Sequence, residues 1–440
     1  QNDIKALYVE LPKITDMSDK NKCLDYLNAA LATAKYKNKP VHINCPAYLN
    51  MDSLLNTLPN DTWAIEYYES NFEKQKEFLN SRNTMIFIGS HSKFSNNETQ
   101  SIEKFALSWD IPVICDHTSN YHGKNKILTS QLANLVTDCP KPDLVIDIGR
   151  VCGEYASAKT FGNTIWRVSK DENFAFRFSK PVEKYFNCSE KYFFDSMINN
   201  SKTNNAYFST VNSKINTIVF PEAELSTIHI AKKLCKHIPA NSSLHLAILN
   251  SLRSVNFFNL EETIDVNCNV GGFGIDGALS TAVGQSLAAK GKKVFCLIGD
   301  LAFFYDMNIL GNNNIKNNLR IIVINNQRGE EFRLNPVLEN NLGDKIDKLI
   351  AAAGHNKNGV KGWVTSCGFH YMSASTIEEF NNKIESFCND EFTSSVIFEI
   401  FTQNENEQNA LNLYRQNNRS VKKKKNFFPN LKEFLKRNKQ

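Results

Sequence analysis

Two short runs constrain this chain more than any other part of it: "CLIGDLAFFYDMN", from Cys296 to Asn308, and "RIIVINNQRGEEF", which begins at Arg320. Each is apolar for about one strand length and then stops on small polar residues, Gly299-Asp300 in the first and Asn325-Asn326 in the second. In an open α/β sheet the ligand lies outside the carboxyl ends of the strands. An aspartate and an asparagine at two successive strand ends therefore mark a candidate site.

The same alternation recurs upstream. "TMIFIG" from Thr84 reads as a strand, "NNETQSIEKFALSW" as a helix, and "IPVIC", "PDLVIDIG" and "NTIWRV" as strands. Strands alternating with helical patterns imply βαβ units and a parallel sheet, so the expected class is α/β with sheets flanked by helices. A further unit holds the helix "EAELSTIHIAKKLCKHI", the strand "LHLAIL" ending in Asn250-Ser251, the Gly-rich "NVGGFGIDGALSTAVGQSLAAKG", the two opening runs and the strand "SSVIFEI".

At 440 residues the chain has room for two or three domains. The expected divisions are 1–50 (a helix over Lys20 to Tyr36, then "KPVHINCP"), a linker over 51–83 with a helix around Glu69 to Leu79, a central α/β domain over 84–205, a ligand-binding domain over 206–405 and a basic tail over 406–440. The chain opens on Gln1, and "KALYVELPKI" reads like the middle of a domain, so a fragment lacking its amino-terminal portion is expected.

A net charge of +5 is not the footprint of a nucleic-acid binder. Eleven cysteines are scattered singly with no CxxC pair, which argues against a zinc ribbon and for a reducing, cytoplasmic setting. No apolar run approaches the roughly 20 residues of a membrane span. Lys422 to Lys425, ahead of Phe427, Phe428, Leu431, Phe434 and Leu435, form a basic stretch with an apolar stripe. Such a stretch can lie on an anionic membrane, but solvation or packing on a partner subunit is the preferred reading.

Two chemistries compete for the strand ends. Gly272-Phe-Gly274-Ile-Asp-Gly277 matches GxGxxG and Asp300 follows on the next strand, as in a dinucleotide site for an NAD-dependent oxidoreductase. However, "EETIDVNCNV" before it lacks a buried strand, and Asn325-Asn326 go unexplained. A diphosphate held through Mg²⁺ explains more. Mg²⁺ takes near-octahedral oxygen ligation from one or two carboxylates plus phosphate. Asp300 and Asn326 would project oxygens into one crevice, the Arg328 carbonyl would complete the protein share, and Gly299 would let backbone approach the phosphates. The bland alternative is a helix-capping aspartate and an Asn-Asn turn.

Gly-Asp followed about two dozen residues later by Asn-Asn resembles the diphosphate-binding signature of thiamine-diphosphate-dependent 2-oxo-acid decarboxylases and carboligases, with Leu301 where that superfamily often has glycine. "GDLAFFYDMN", "GIDGALSTAVG", "KPVHINCP" and "LAILNS" together resemble one branch, the menaquinone-pathway synthases of 2-succinyl-5-enolpyruvyl-6-hydroxy-3-cyclohexene-1-carboxylate. The resemblance implies thiamine diphosphate and Mg²⁺ as cofactors, with decarboxylation of a 2-oxo acid and transfer of the acyl-anion equivalent to an acceptor. It implies a thiamine-diphosphate-binding fold with a Rossmann-like central domain, in a homodimer or homotetramer whose sites lie between subunits.

Residue by residue, Asp300, Asn326 and the Arg328 carbonyl match the metal ligands. Ile275, beside Gly274, matches the apolar wedge that bends the cofactor; Asn250 and Ser251 match the strand-end pair beside the active site; Phe332 matches an apolar residue of the cleft. Gly299, Leu301 and Ala302 fall within the same cofactor-binding stretch. Where the synthases carry two arginines for acidic substrates, this chain has Val270 and Val255, with Arg253 out of register. These losses fit a related carboligase acting on an activated keto-sugar for surface polysaccharide. The family's glutamate for cofactor activation has no counterpart here, which leaves open a chain that binds thiamine diphosphate without catalysis, or a second chain that supplies the glutamate. His355 is a weak candidate for a proton shuttle in the Gly-rich "AAAGHNKNGVKGWVTSCGF", read as a loop; Cys367 and His370 read as core, and Glu330 or Glu331 as facing the cleft.

Overall fold

The computed structural model describes residues 7–45, 72–80, 82–162, 164–170, 176–177, 180–200, 205–272, 274–289, 291–354 and 358–418. At the amino-terminal end β1 (Leu7–Glu10) and β2 (Val41–Asn44) pair in parallel across α1 (Met17–Lys37), which Asp16 caps and Asn38 ends in the left-handed region. α2 (Glu73–Leu79) follows.

The central unit contains β3 (Thr84–Ile88), α3 (Asn96–Trp109), β4 (Val113–Cys115), β5 (Lys126–Leu128), α4 (Thr129–Leu135), β6 (Leu144–Ile148) and β7 (Thr164–Val168). A short antiparallel ribbon, β8 (Phe176–Arg177) and β9 (Lys180–Pro181), precedes β10 (Lys184–Phe186) and α5 (Glu190–Ser196). The sheet order is β10-β7-β6-β3-β4-β5, all parallel. The chain steps outward from β3 through β4 and β5 and returns on the other side to β6, so strand order reverses between β3 and β6. Gly149 makes this junction possible: its φ is +73°, and a Cβ there would meet the Gly89 carbonyl at 2.8 Å.

After α6 (Tyr207–Ile215) the third unit contains α7 (Thr227–His237), β11 (Ser243–Leu246), α8 (Asn250–Val255), β12 (Asp265–Cys268), α9 (Ala278–Ala288), β13 (Val294–Gly299), α10 (Asp300–Asp306) and β14 (Leu319–Asn325). Then come α11 (Glu330–Leu334), α12 (Pro336–Leu342), α13 (Lys345–Leu349), α14 (Gly359–Ser366), β15 (His370–Ala374), α15 (Ile377–Asn389), β16 (Val396–Phe401) and α16 (Asn404–Asn418). The sheet order is β12-β11-β13-β14-β16-β15, again all parallel. Its central strands are apolar throughout because both faces are covered. Phe295, Leu297, Ile322 and Ile324 pack towards α7 and α15, while Cys296, Ile298, Ile321 and Val323 pack towards α9 and α14.

Several expectations need correction. Asn250-Ser251 do not end a strand: β11 stops at Leu246 and the pair opens α8. "EETIDVNCNV" does contain a strand, β12, which lies at the edge of its sheet and whose exposed Asn267 masks the pattern. The supposed loop around His355 contains α14, and His355 itself lies outside the described residues. His370 is exposed at the start of β15 with its ring 5.0 Å from that of Phe392, and Cys367 is only half-buried. Residues 406–418, read as tail, belong to α16, which buries Ala410 and Tyr414; the four lysines lie outside the described residues. Among the described residues no helix is long and apolar enough to cross a membrane.

α16 is latched to α7 by Glu407, whose two carboxylate oxygens accept the Thr227 N–H at 3.0 and 3.1 Å. Burial pushes this carboxyl from its ordinary 4.5 up to about 7. The folded state then holds the proton more tightly than the unfolded chain, so the stability this carboxyl contributes is present at low pH and lost as pH rises through that window. Buried His117, pushed down to about 3, acts the other way and favours the folded state as pH rises towards 6.5. The Glu407 contribution is therefore read by difference: in melting curves between pH 4.5 and 7, the Tm of Glu407→Gln minus that of the unsubstituted protein will rise with pH.

Candidate functional site

β13 carries its apolar run to Gly299 and turns directly into α10, so Asp300 stands at once at a strand end and in a first helical turn. It is buried. Its Oδ1 accepts the N–H of Leu301 at 2.7 Å and its Oδ2 accepts the N–H of Gln327 at 2.6 Å. The second bond ties the end of β13 to the loop after β14, where Gln327 sits at φ +64°. Amide donors to a carboxylate are strong hydrogen bonds, so this one side chain sets the spacing of two strand ends.

The paired asparagines do different jobs. Asn325 is buried, and its Nδ2 donates to Glu399 Oε1 at 2.6 Å; the Tyr371 hydroxyl donates to Oε2 of the same carboxylate at 2.7 Å. Asn326 is half-buried in the loop, with its Oδ1 accepting the Arg328 N–H at 3.3 Å. The Arg328 side chain turns inward: its Nε donates to Glu330 Oε2 at 2.7 Å, and one terminal nitrogen lies 3.4 Å from Asp347. Arg333 pairs with the same Asp347 at 2.8 Å and holds its carboxyl below the usual range. The loop is thus fixed by ion pairs on its inner side. Glu330 is consumed there, while Glu331 forms an ion pair with Arg253 at 2.6 Å and joins α11 to α8.

Strand order reverses in this sheet too. The chain leaves β11 for β12 on one side and returns to β13 on the other, so the crevice between β11 and β13 is a topological switch point, where open sheets bind ligands. Asn250 and buried Ser251 follow β11, and Gly299, Asp300 and Leu301 follow β13. Leu249, just ahead of Asn250, has φ +72° and ψ −120°, a region that costs a branched residue about 1–3 kcal/mol and clusters at functional sites. Gly274 is exposed, and Ile275 is half-buried against the core beneath α9. Ala302 is turned into that core instead of the crevice. Phe332 is partly exposed, with its ring packed over Gly329. Gly299, Gly271 and Gly272 have nothing within 4 Å of where a Cβ would stand, which leaves room for a ligand against backbone.

Among the described residues no three His, Cys, Asp or Glu side chains converge as a metal cluster. That excludes a dedicated all-side-chain cage, not Mg²⁺. One carboxylate, one carboxamide and one main-chain carbonyl are hard oxygen donors of the kind Mg²⁺ takes alongside phosphate. The dinucleotide reading fares worse: the strands flanking Gly272–Gly277, β12 and β13, are not neighbours, because β11 lies between them. A Rossmann fingerprint needs its first two strands side by side.

Sequence reasoning missed Leu249, Gln327, Glu399 and Tyr371. Glu399 comes from β16, which pairs with β14, and Tyr371 from β15, one strand beyond, and nothing local signals their convergence on Asn325. A left-handed leucine or glutamine carries no signal at all.

No family model matches the chain. Among curated proteins it is similar to the 2-succinyl-5-enolpyruvyl-6-hydroxy-3-cyclohexene-1-carboxylate synthase of Bacteroides fragilis, 37% identical over 195 residues, which is 44% of this chain and 34% of that protein. The synthase so named in Bacteroides thetaiotaomicron is 37% identical over 199 residues, 45% of this chain and 35% of that protein. The one in Flavobacterium johnsoniae is 28% identical over 349 residues, 70% of this chain and 60% of that protein. The chain therefore spans from about a third to 60% of the length of these relatives.

Removing the Asp300 carboxylate leaves two amides without their acceptor. Asp300→Ala will cost about 2 kcal/mol in urea unfolding, and Asp300→Asn, which keeps one acceptor oxygen, about half of that.

Proposed function

We propose that this chain is part of a thiamine-diphosphate- and Mg²⁺-dependent enzyme that decarboxylates a 2-oxo acid and transfers the acyl-anion equivalent to an acceptor, in the manner of the synthases it resembles. The observation that carries the reading is that Asp300, at the end of β13, accepts the Gln327 N–H and so fixes beside itself the loop after β14 that bears the Asn326 carboxamide and the Arg328 carbonyl. The chain's similarity to the named synthases supports it.

When bound, thiamine diphosphate supplies the electron sink that lets carbon dioxide leave a 2-oxo acid. The chain's own residues hold and orient it. The Asp300 carboxylate, the Asn326 carboxamide oxygen and the Arg328 carbonyl would hold Mg²⁺, and Gly299 would let the diphosphate come close to backbone. Ile275 would back the organic part of the cofactor, Leu301 and Phe332 would exclude water, and Asn250 and Ser251 would face the reacting end. The activating carboxylate would come from the pyrimidine-binding portion, and a second copy in a homodimer or homotetramer would complete the site. A cytoplasmic setting fits the small-molecule chemistry.

A second reading changes only the acceptor. Val255 is fully buried in the core and Val270 is buried, so neither position offers a cation for a dicarboxylate acceptor. That favours a carboligase acting on a less acidic partner such as a keto-sugar.

Calorimetric titration of thiamine diphosphate, with and without Mg²⁺, tests the reading. Binding should require the metal and weaken at least about tenfold, or ~1.4 kcal/mol, in Asn326→Ala. Metal-independent binding of NADH, or no thiamine diphosphate binding with Mg²⁺ present, would reject it.

A further inference from the structure

α10 carries a carboxylate at each end, and each reaches out of the helix. Asp300 opens it and accepts the Gln327 N–H of the loop after β14. Asp306 closes it and reaches α9: its Oδ2 accepts the Ser280 N–H at 2.6 Å and its Oδ1 accepts the Ser280 hydroxyl at 2.5 Å. At a rise of 1.5 Å per residue the helix sets these two anchor points about 9 Å apart along its axis.

α9 depends on this contact because it cannot cap itself. Its N-cap is Gly277, at φ +77°, which has no side chain to accept an amide of the first turn. An N-cap serine would take the amide at the second or third helical position. Ser280 is the third, and Asp306 takes its amide from another helix. The contrast is α3, where Ser95 and Glu98 close a capping box from within the helix's own sequence. A carboxylate also suits the positive end of a helix dipole.

The segment so fixed carries Ile275. Glycines at 274 and 277 flank that residue, so its backbone is stiffened by contacts and not by sequence. Ile275 lies half-buried against a core that contains Ala278 and Leu279 of α9 and Ala302 and Phe303 of α10, and Phe304 and Met307 pack against the same core. A further tie, from Asn269 Nδ2 to the Thr281 hydroxyl at 3.0 Å, runs to the loop after β12 and does not reach the Asp300 corner. Asp306 does, through the length of α10.

We propose that Asp306 is a positioning residue for the organic half of the cofactor, setting Ile275 at a fixed distance from the metal corner with α10 as the spacer. The inference rests on the thiamine diphosphate reading above and divides its labour: the diphosphate end depends on Asp300, the ring end on Asp306. With both oxygens given to Ser280, Asp306 acts through Ile275 and not on the cofactor itself.

The two halves of the ligand should therefore respond differently to Asp306. Calorimetry of the whole chain with Mg²⁺ uses two probes, thiamine diphosphate and inorganic pyrophosphate. Asp306→Ala should weaken thiamine diphosphate at least about tenfold and leave pyrophosphate within about twofold, whereas Asp300→Ala should weaken both. Asp306→Asn, which keeps an oxygen for the Ser280 N–H, should recover part of the loss, and it carries the same comparison if the alanine variant does not fold. Hydrogen exchange in Asp306→Ala should quicken at the Ser280 amide and stay unchanged at the Gln327 amide. Equal loss of both probes, unchanged affinity for both, or an unsubstituted protein that holds thiamine diphosphate no better than pyrophosphate would overturn the proposal. An unsubstituted protein that binds neither probe would overturn the thiamine diphosphate reading itself, and this inference with it.

Discussion

The hydrogen bond from the Gln327 amide to the Asp300 carboxylate is the contact on which the candidate site depends. Parallel strands leave their carboxyl ends side by side, but each then departs into its own crossover. Without a cross-link the loops after β13 and β14 would be set independently. Asp300 removes that freedom by binding the first amide of its own helix and an amide of the neighbouring loop. The same loop is held from inside by Arg328, Glu330, Asp347 and Arg333. Side-chain charges are thereby spent on the inner face, and oxygen atoms remain for the outer one.

Both large sheets repeat one device: continuous apolar strands, helices on both faces and a reversal of strand order that opens a crevice. They differ in what stands at the reversal. At the ends of β13 and β14, beside the β11–β13 reversal, stand oxygen donors of the kind a hard cation takes, Asp300 and Asn326. After β3 and β6 stand the His91 imidazole and the Arg150 guanidinium, and the helix end is closed by its own glutamate.

Much of this was legible in the sequence because the strands that matter are buried on both faces. β13 and β14 announced themselves as apolar runs, and their polar stops coincide with Asp300 and Asn326. The helix α3 was equally plain in "NNETQSIEKFALSW", whereas its capping box, Ser95 with Glu98, came only with the structure. β12 was hidden because it is an edge strand on which Asn267 is exposed. α14 was hidden because Gly359 and Gly362 read as loop, and α16 because its first turns are nearly all Asn, Glu and Gln. The backbone of Leu249, and the meeting of Asn325 with Glu399 and Tyr371, arise only from tertiary packing and have no local signature.

The central claim is that one metal ion, held by Asp300, Asn326 and the Arg328 carbonyl, anchors a diphosphate at the β13–β14 edge. Anomalous diffraction from crystals grown with thiamine diphosphate and Mn²⁺ tests it directly. The account predicts a single Mn²⁺ peak within about 2.3 Å of those three oxygens, with phosphate oxygens completing the octahedron. A peak elsewhere, or diphosphate density with no metal beside Asp300, would contradict it.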